Sequence, residues 1–497
     1  MSDKKTFIYK IIVVLIFLLG ILSRTAFLVN NNILSDDECR LALAMFDKSI
    51  FAMFLPLSAI QSAPPIFMVF SKILANISDY NEYFLKFIPY ISGIGALFVF
   101  YKLCKNYYEN KASIAIALFL FAVNSNLILY STTFKQYSID IFIGLLCIYF
   151  FSKINIADIS KTRLIKLSAV ISILPFISLA SLFFVLPFFI INIFQNFKNK
   201  DFYKKFAGMI IPFVVSFTIY YIYNLYPSSV NMKQVFGQEW AEGFWINISG
   251  LLKLLIINVR YYIYPNLFVL LPLLLFIAGF ITAIFDKTNS KNINRIIFSA
   301  FITVFAVSFF KIFPFLGRVT LFLAPLFILL CIKPFDILYN GKKLLLAFVC
   351  IFLTAGFINY FFPAYYSGFF NKNTIIYSPN YLMKIMKTKF DRNTDVILFN
   401  SASTPSYLFY SYKNRFEPLY YIEIPPDKDM KASIYGYLNS LNVKKGYWFY
   451  LVKEYPSAPE RHYVQDWLKQ QKTDFKIKDK DSYLYYIKPD TVKKVVK

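Results

Sequence analysis

Long apolar runs, separated by short basic loops, are the feature that most constrains how this chain folds. The first run covers residues 7–29 and follows Lys4 and Lys5. It matches the roughly 20 residues that a helix needs to cross a bilayer core of about 30 Å. The run is too long for the core of a cleaved signal peptide, and no clear small-residue cleavage site follows it. We therefore predict a retained first transmembrane span.

Ten more apolar segments follow, so the sequence predicts about eleven spans. A backbone surrounded by lipid must satisfy its own hydrogen bonds, which favours α-helices. The composition agrees, because 58% of the 497 residues are hydrophobic and the mean hydropathy is +0.52. The expected fold class is a polytopic α-helical membrane protein. The predicted spans are 7–29, 86–104, 111–127, 138–153, 166–178, 181–197, 206–225, 265–285, 296–312, 318–333 and 344–361.

Every second loop between these spans is basic. The segment 198–205, for example, contains four lysines. This alternation is typical of cytoplasmic loops under the positive-inside rule. It predicts a cytoplasmic N-terminus, and an odd number of spans then places the C-terminus outside. We attribute the formal net charge of +25 to orientation and to anionic membrane lipid, and not to nucleic acid.

The chain becomes more polar after residue 361. Strand-like pieces (DVILF, YWFYLV and SYLYYI) alternate with helix-like pieces at about 378–389, 430–441 and 459–471. Such alternation is typical of a small α/β domain. The sequence therefore predicts a transmembrane domain over residues 1–361 and an extracytoplasmic α/β domain over residues 362–497.

The first outer loop, residues 30–85, is too long and too apolar for a simple connection. Its pattern predicts two short helices at 36–47 and 49–60. A third is predicted at 64–77, where the leading proline suits the first turn of a helix. Because these helices are amphipathic and short, they are expected to lie in the membrane interface.

Three adjacent carboxylates, Asp36, Asp37 and Glu38, stand near the start of this loop. Ser35 followed three residues later by Glu38 fits a capping box, and the helix dipole favours acidic residues in a first turn. The same carboxylates also suit a general base or a divalent-metal ligand. Both interpretations stay open. The only histidine is His462, which excludes a histidine-based triad or zinc site in the membrane part.

A second polar group lies at the outer end of the fourth predicted span, in YSTTFKQYSID (130–140). It contains Lys135, Gln136, Tyr137 and Asp140. One interpretation is an interfacial belt in which tyrosine anchors the helix and lysine snorkels. The other is an edge that binds a phosphate or a sugar.

Two more segments fall on the same predicted membrane face. In FPFLGRVTLFL (313–323), Arg318 follows a glycine and suits a bidentate phosphate contact, although a snorkelling interfacial arginine explains it as well. In AIQSAPPIF (59–67), Gln61 precedes two prolines, and a plain proline turn is the alternative.

Together these motifs resemble those of the GT-C membrane glycosyltransferases, in the RgtA/B/C/D-like branch that is related to protein O-mannosyltransferases and the lipid A aminoarabinose transferase. An acidic pair follows the first span, a proline pair closes the first outer loop, a KQYS motif marks the fourth span, and a PF-GR motif comes later. The resemblance covers most of the chain and is strongest over residues 30–140. The matching residues are Asp37, Glu38, Pro64, Pro65, Lys135, Gln136, Tyr137, Ser138, Asp140, Pro314, Phe315, Gly317 and Arg318.

The resemblance implies an inverting transfer of a sugar from a polyprenyl-phosphate donor to a hydroxyl of a glycan, lipid or protein acceptor. The expected location is the outer face of a bacterial inner membrane, where cell-envelope glycans such as lipopolysaccharide are built. By the same resemblance, Asp37 and Glu38 are catalytic, with Asp37 as the base, and Lys135 and Arg318 bind the donor phosphate. The implied substrate contacts are Asp36, Gln61, Gln136, Tyr137 and Asp140.

The chain departs from the family pattern at Thr133, where relatives often carry an acidic residue. A divalent metal, Mg²⁺ or Mn²⁺, is therefore left open as a cofactor, with Asp37 and Asp140 as its candidate ligands. Asp36 and Asp140 are the candidates for the missing carboxylate. Two alternative functions remain: a relative that binds a lipid-linked sugar without turnover, and a flippase or transporter of lipid-linked glycans. The sequence shows no sign of the paired repeats and broken spans of many transporters.

Overall fold

A computed structural model of the chain describes most of its residues. The described residues form two compact units, the first within residues 1–31, 49–76 and 83–370 and the second within residues 32–48, 77–82 and 371–497. The described residues are 2–30, 33–46, 48–58, 61–230, 241–262, 270–286, 290–338, 379–400, 403–416, 421–424, 430–452, 459–478 and 482–493.

The first unit is a bundle of apolar helices. Within the described ranges, six helices are long and apolar enough to cross a membrane, and a bent pair adds a seventh. This confirms the predicted polytopic helical membrane protein. Its principal helices are α1 (Ser2–Asn30), α3 (Pro65–Ser78), α4 (Phe87–Tyr107), α5 (Lys111–Val123), α6 (Ser125–Ser131), α7 (Tyr137–Phe151), α8 (Lys161–Ile177), α9 (Leu182–Asn196), α10 (Lys200–Tyr220), α11 (Ile248–Tyr262), α12 (Leu270–Ile284), α13 (Lys291–Phe309) and α14 (Ala324–Leu338); α2 (Asp36–Phe46) belongs to the second unit.

Ten of the eleven predicted spans coincide with helices of this bundle. The eleventh, 344–361, lies outside the described residues. Some matching helices, such as α7 with 15 residues, are shorter than the roughly 20 residues that cross a bilayer core. Helix α11 was not predicted, because Lys253 and Arg260 interrupt its apolar pattern.

The bent pair α5–α6 leads into the turn that carries the KQYS motif. The two helices meet at an angle of 53° at Asn124. Asn124 accepts a hydrogen bond of 3.0 Å from the backbone N–H of Leu127, which caps α6. The buried Arg24 of α1 donates a bond of 3.0 Å to the carbonyl of Ala122. The break therefore has side-chain partners for backbone groups that the bend releases.

Close packing of α4 fixes the turn that follows α6. At Gly93 of α4, an added Cβ would lie 2.4 Å from the Cβ of Ser131 and 3.2 Å from the hydroxyl of Ser138. Ser131 ends α6 and Ser138 lies in the first turn of α7. A glycine is thus required where α4 packs against both sides of the turn that carries Lys135.

The second unit is an α/β domain built on a five-stranded sheet. Strands β1, β2 and β3 are parallel, β5 is antiparallel to β3 and β4, and the order is β2-β1-β3-β5-β4. The predicted strand-like and helix-like pieces are confirmed. The strands are β1 (Asp395–Asn400), β2 (Tyr421–Ile424), β3 (Gly446–Val452), β4 (Phe475–Lys478) and β5 (Ser482–Ile487), and the helices are α15 (Pro379–Lys389), α16 (Thr404–Lys413), α17 (Met430–Asn439) and α18 (Pro459–Lys469).

The segment 30–85, which the sequence predicts as the first outer loop, is divided between the units. The predicted helices near 36–47 and 64–77 are present as α2 and α3. The helix predicted at 49–60 is wrong, since the described part holds only a short 3₁₀ helix, Phe51–Phe54. Pro56 explains the difference, because the residue before a proline is driven into extended conformation. Leu55 has φ −96° and ψ 167°, which ends the helix.

Helix α2 packs within the second unit against α16. The ring of Phe46 stacks on Tyr80 and Tyr412, with centroids 4.1 Å and 5.0 Å away. Glu82 forms an ion pair with Lys413. These contacts make the acidic segment part of the same folded unit as the C-terminal sheet.

Candidate functional site

The acidic cluster begins a helix, as the capping-box interpretation predicts. The backbone N–H of Ser35 donates a bond of 2.9 Å to Oε2 of Glu38, and the N–H of Glu38 donates one of 3.4 Å to Oγ of Ser35. This reciprocal pair is the capping box. Glu38 is only 3% exposed, and its carboxylate is held at the start of α2 by this bond.

The other two carboxylates of the cluster have different surroundings. Asp36 is 7% exposed and forms an ion pair of 2.8 Å with Nε of Arg40, one turn along α2. Asp37, between them in the first turn, is only half-buried. All three carboxylates lie in the first turn of α2, where acidic side chains interact favourably with the helix dipole. Asp37 is therefore the member of the cluster with the most access to a substrate.

The segment before α2 is held by the C-terminal domain's own helix. The backbone N–H of Leu34 donates a bond of 3.4 Å to the hydroxyl of Tyr410 in α16. Burial raises the pKa of Tyr410 well above its usual value, so this hydroxyl stays neutral at physiological pH. A neutral acceptor at this place fixes the backbone directly ahead of Ser35.

Lys135 and Gln61 are brought together in the first unit. Nζ of Lys135 donates a bond of 2.7 Å to Oε1 of Gln61, and the two residues are 6% and 8% exposed. Phe134 and Phe67 pack beside them with ring centroids 5.7 Å apart. The loop that ends in the two prolines and the KQYS turn thus form one site around a buried ammonium group.

A tyrosine cluster continues from this turn toward α11. Tyr130 packs edge-on against Tyr137, with centroids 5.1 Å apart, and its hydroxyl accepts a bond of 2.5 Å from the hydroxyl of Tyr261. Next to Tyr137, the side-chain oxygen of Gln136 is buried and has no hydrogen-bond donor within the described part of the chain. The cluster combines aromatic faces with polar tips, which suits a sugar.

Arg318 is exposed at the start of the 3₁₀ helix Gly317–Leu323. Gly317 has φ +49°, a conformation that residues with a Cβ rarely adopt, and Tyr261 lies 3.7 Å from where its Cβ would stand. The glycine of the motif is thus required by the backbone. Tyr261 contacts the Arg318 loop on one side and Tyr130 on the other, so it connects the two cationic segments.

Asn258 holds the Arg318 loop, although no sequence motif marked this residue. Its side chain, only 1% exposed, accepts a bond of 2.8 Å from the N–H of Gly317 and donates one of 2.9 Å to the carbonyl of Phe315. A sequence signal existed: Asn258 is an amide inside the apolar run LLIINV. A polar side chain in such a run needs a partner inside the bundle.

Asp140 is buried in the bundle and accepts a hydrogen bond of 2.5 Å from the hydroxyl of Ser178. Its candidate co-ligand, Asp37, belongs to the other compact unit. Within the described residues, no three histidine, cysteine, aspartate or glutamate side chains are grouped so as to hold a metal ion. The described side chains therefore do not fit a built metal centre.

Comparisons with known proteins identify the fold. Sequence-family models and curated protein sequences give no match. Among solved structures, ArnT from Cupriavidus metallidurans bound to undecaprenyl phosphate is similar at a TM-score of 0.52 and 10% identity, with 98% of each chain covered. The apo state of that protein gives a TM-score of 0.51 at the same identity and coverage. At such low identity the likeness shows the fold.

Proposed function

We propose that this chain, which has the GT-C fold, is a glycosyltransferase that uses a polyprenyl-phosphate sugar. The observation that carries the proposal is the Lys135–Gln61 hydrogen bond of 2.7 Å. It fixes a buried ammonium group in a membrane-spanning unit, where a charged side chain is costly and usually functional. The solved ArnT structure binds undecaprenyl phosphate, and a phosphate is the anion that such a cation suits.

The proposed reaction is a single displacement with inversion. The Asp37 carboxylate removes the proton of the acceptor hydroxyl, whose oxygen attacks the anomeric carbon of the donor sugar. The bond from that carbon to the phosphate oxygen breaks, and its electron pair stays with the phosphate. Lys135 and Arg318 stabilise the negative charge that develops on the leaving polyprenyl phosphate.

The remaining side chains have supporting roles in this proposal. Gln136 offers a buried acceptor oxygen to a sugar hydroxyl, since leaving it unsatisfied costs about 1–3 kcal/mol. Tyr137 offers an aromatic face to the sugar ring. Glu38 and Asp36 keep the first turn of α2 in place and thereby orient Asp37. Asp140 supports the start of α7 through Ser178.

The proposed setting is the extracytoplasmic face of a bacterial inner membrane, with a cytoplasmic N-terminus and an outer C-terminal domain. Two independent patterns support it: the basic loops alternate along the chain, and the C-terminal unit is a polar α/β domain. The acceptor is then a hydroxyl of a cell-envelope glycan, lipid or protein, lipopolysaccharide included. A reporter joined after residue 497 should be detected outside the cytoplasm.

No step of this mechanism requires a metal ion. If Mg²⁺ or Mn²⁺ acts, it is expected to come bound to the donor phosphate, since Asp37 and Asp140 alone make a poor ligand set. Chelation should therefore leave the protein folded.

The direct test is to incubate the purified protein with polyprenyl-phosphate sugars and acceptor glycolipids. Release of polyprenyl phosphate together with a glycosylated acceptor supports a transferase. Binding of the donor without release would instead support the non-catalytic binder, and movement of intact donor between leaflets of a vesicle would support a flippase. Asp37→Asn separates the cases, because only turnover depends on a base.

A further inference from the structure

We infer that Asn258 is the positioning residue of the Arg318 loop, and that it acts on the donor phosphate only through Arg318. The inference rests on the proposed function. Asn258 lies in α11, four residues before the end of that helix, and its side chain is 1% exposed. It bonds the backbone of Phe315 and Gly317, just before Arg318, and it is too buried to be an ordinary surface amide.

Both the nitrogen and the oxygen of the Asn258 side-chain amide are hydrogen-bonded. Its nitrogen donates bonds of 2.9 Å to the carbonyls of Leu254 and Phe315, and its oxygen accepts a bond of 2.8 Å from the N–H of Gly317. The hydroxyl of Thr320 adds a longer contact of 3.3 Å to the same oxygen. One side chain thus fixes the backbone immediately before Arg318 and the turn immediately after it.

Helix α11 is itself anchored to the segment that leads to Lys135. Asn124 donates a bond of 2.5 Å to the carbonyl of Tyr262, at the C-terminal end of the helix, where carbonyls lack helical partners. Tyr262 in turn donates a bond of 2.6 Å to the hydroxyl of Thr320. Helix α11 therefore fixes the position of the Arg318 loop relative to the bend that precedes the KQYS turn.

This arrangement explains how an exposed arginine keeps a defined position. Gly317 allows the left-handed turn but adds no rigidity, since glycine loses more conformational freedom on folding than any other residue. The bonds from Asn258 supply the missing constraint. Without them the backbone that carries Arg318 would lose these restraints, and a misplacement of about 1 Å at a reacting group can cost about 100-fold in rate.

The test is a double-mutant cycle on the full-length protein, with turnover of a polyprenyl-phosphate sugar as the readout. Asn258→Ala and Arg318→Ala are made singly and together, and kcat and KM for the donor are measured separately. We expect Asn258→Ala to lower kcat/KM by about 10- to 100-fold. The same parameter, kcat or KM, should change as in Arg318→Ala. The double variant should have no lower kcat/KM than Arg318→Ala alone.

A matched control uses Asn192, another asparagine that is 1% exposed. Asn192 bonds the carbonyl four residues earlier at 2.9 Å, as Asn258 does, but its oxygen accepts from Ile156, in a different part of the bundle. Asn192→Ala should match Asn258→Ala in lost thermal stability and retain turnover. If Asn258→Ala does not fold, the isosteric Thr320→Val, which removes the hydroxyl that bonds Asn258 and Tyr262, should give a smaller loss of the same kind.

Three results would overturn the inference. Losses that multiply in the double variant would mean that Asn258 acts independently of Arg318. Equal activity losses in Asn192→Ala and Asn258→Ala would mean a general packing role. Wild-type turnover in Arg318→Ala would remove the proposed phosphate role of Arg318 and, with it, the positioning role of Asn258. In the first two cases the proposed transferase function would stand.

Discussion

Asp36 accepts a hydrogen bond of 2.8 Å from Nε of Arg40, one turn further along the same helix. With Glu38 engaged by Ser35, two of the three adjacent carboxylates take part in holding the helix. Asp36 and Glu38 therefore stabilise the start of the helix, and Asp37 is the half-buried member of the cluster. The two interpretations of the sequence are compatible, because the cap that stabilises the helix also orients the candidate base.

This division of roles predicts a large difference between neighbouring substitutions. Asp37→Asn should lower kcat by about 100- to 10,000-fold, because a general base is lost while the shape is kept. Asp36→Asn should change kcat by less than about fivefold, since a partly exposed ion pair contributes at most about 1 kcal/mol. Both are measured as release of polyprenyl phosphate. Similar rates for the two variants would show that Asp37 is not the base.

The capping box itself is a second target. Ser35→Ala removes the hydroxyl that accepts from the N–H of Glu38, and N-cap losses of this kind cost about 1 kcal/mol. Hydrogen exchange should therefore accelerate at the first amides of α2. Ser35→Asn, which keeps an N-cap acceptor, is the control and should leave exchange nearly unchanged. Equal exchange in both variants would mean that the cap adds little to this helix.

A third prediction concerns the partner of Lys135. Gln61→Leu removes the acceptor of a hydrogen bond from a buried ammonium group, and bonds to charged groups are worth about 1.5–3 kcal/mol. If Gln61 orients Lys135 toward the donor phosphate, KM for the donor should rise by roughly 10- to 100-fold. The measurement is turnover at varied donor concentration.

The control for this substitution is Asn224, which is buried and donates a bond of 3.0 Å to the carbonyl of Phe54, in the same loop as Gln61. Asn224→Leu should loosen the loop without raising KM for the donor. An equal rise of KM in both variants would show that Gln61 acts by holding the loop and not by orienting Lys135.

Local patterns made much of this structure predictable. The capping box joins residues three apart, and the spans follow from uninterrupted apolar runs, so the sequence contains both. The Asn258 contacts could not be predicted from the sequence, because they join residues 57 and 59 positions apart and depend on how α11 packs. The prediction of a helix at 49–60 was wrong although the deciding signal is local, because Pro56 ends the helix despite the apolar pattern.

The last prediction concerns a buried ion pair away from the candidate site. Nζ of Lys333 lies 2.8 Å from Oδ2 of Asp286, and each side chain is 2% exposed. Lys333 also donates a bond of 3.2 Å to the carbonyl of Tyr107. Removing one partner of such a pair leaves a buried charge, so Lys333→Met should destabilise the protein by about 3–5 kcal/mol.

The double substitution Lys333→Met with Asp286→Leu should recover much of that loss, because a well-packed apolar pair has no uncompensated charge. Thermal unfolding of the purified protein in detergent measures both. A double variant less stable than Lys333→Met would contradict this account and would mean that the hydrogen bonds of Asp286 with Ser290 and Asn294 outweigh the relief of the unpaired charge.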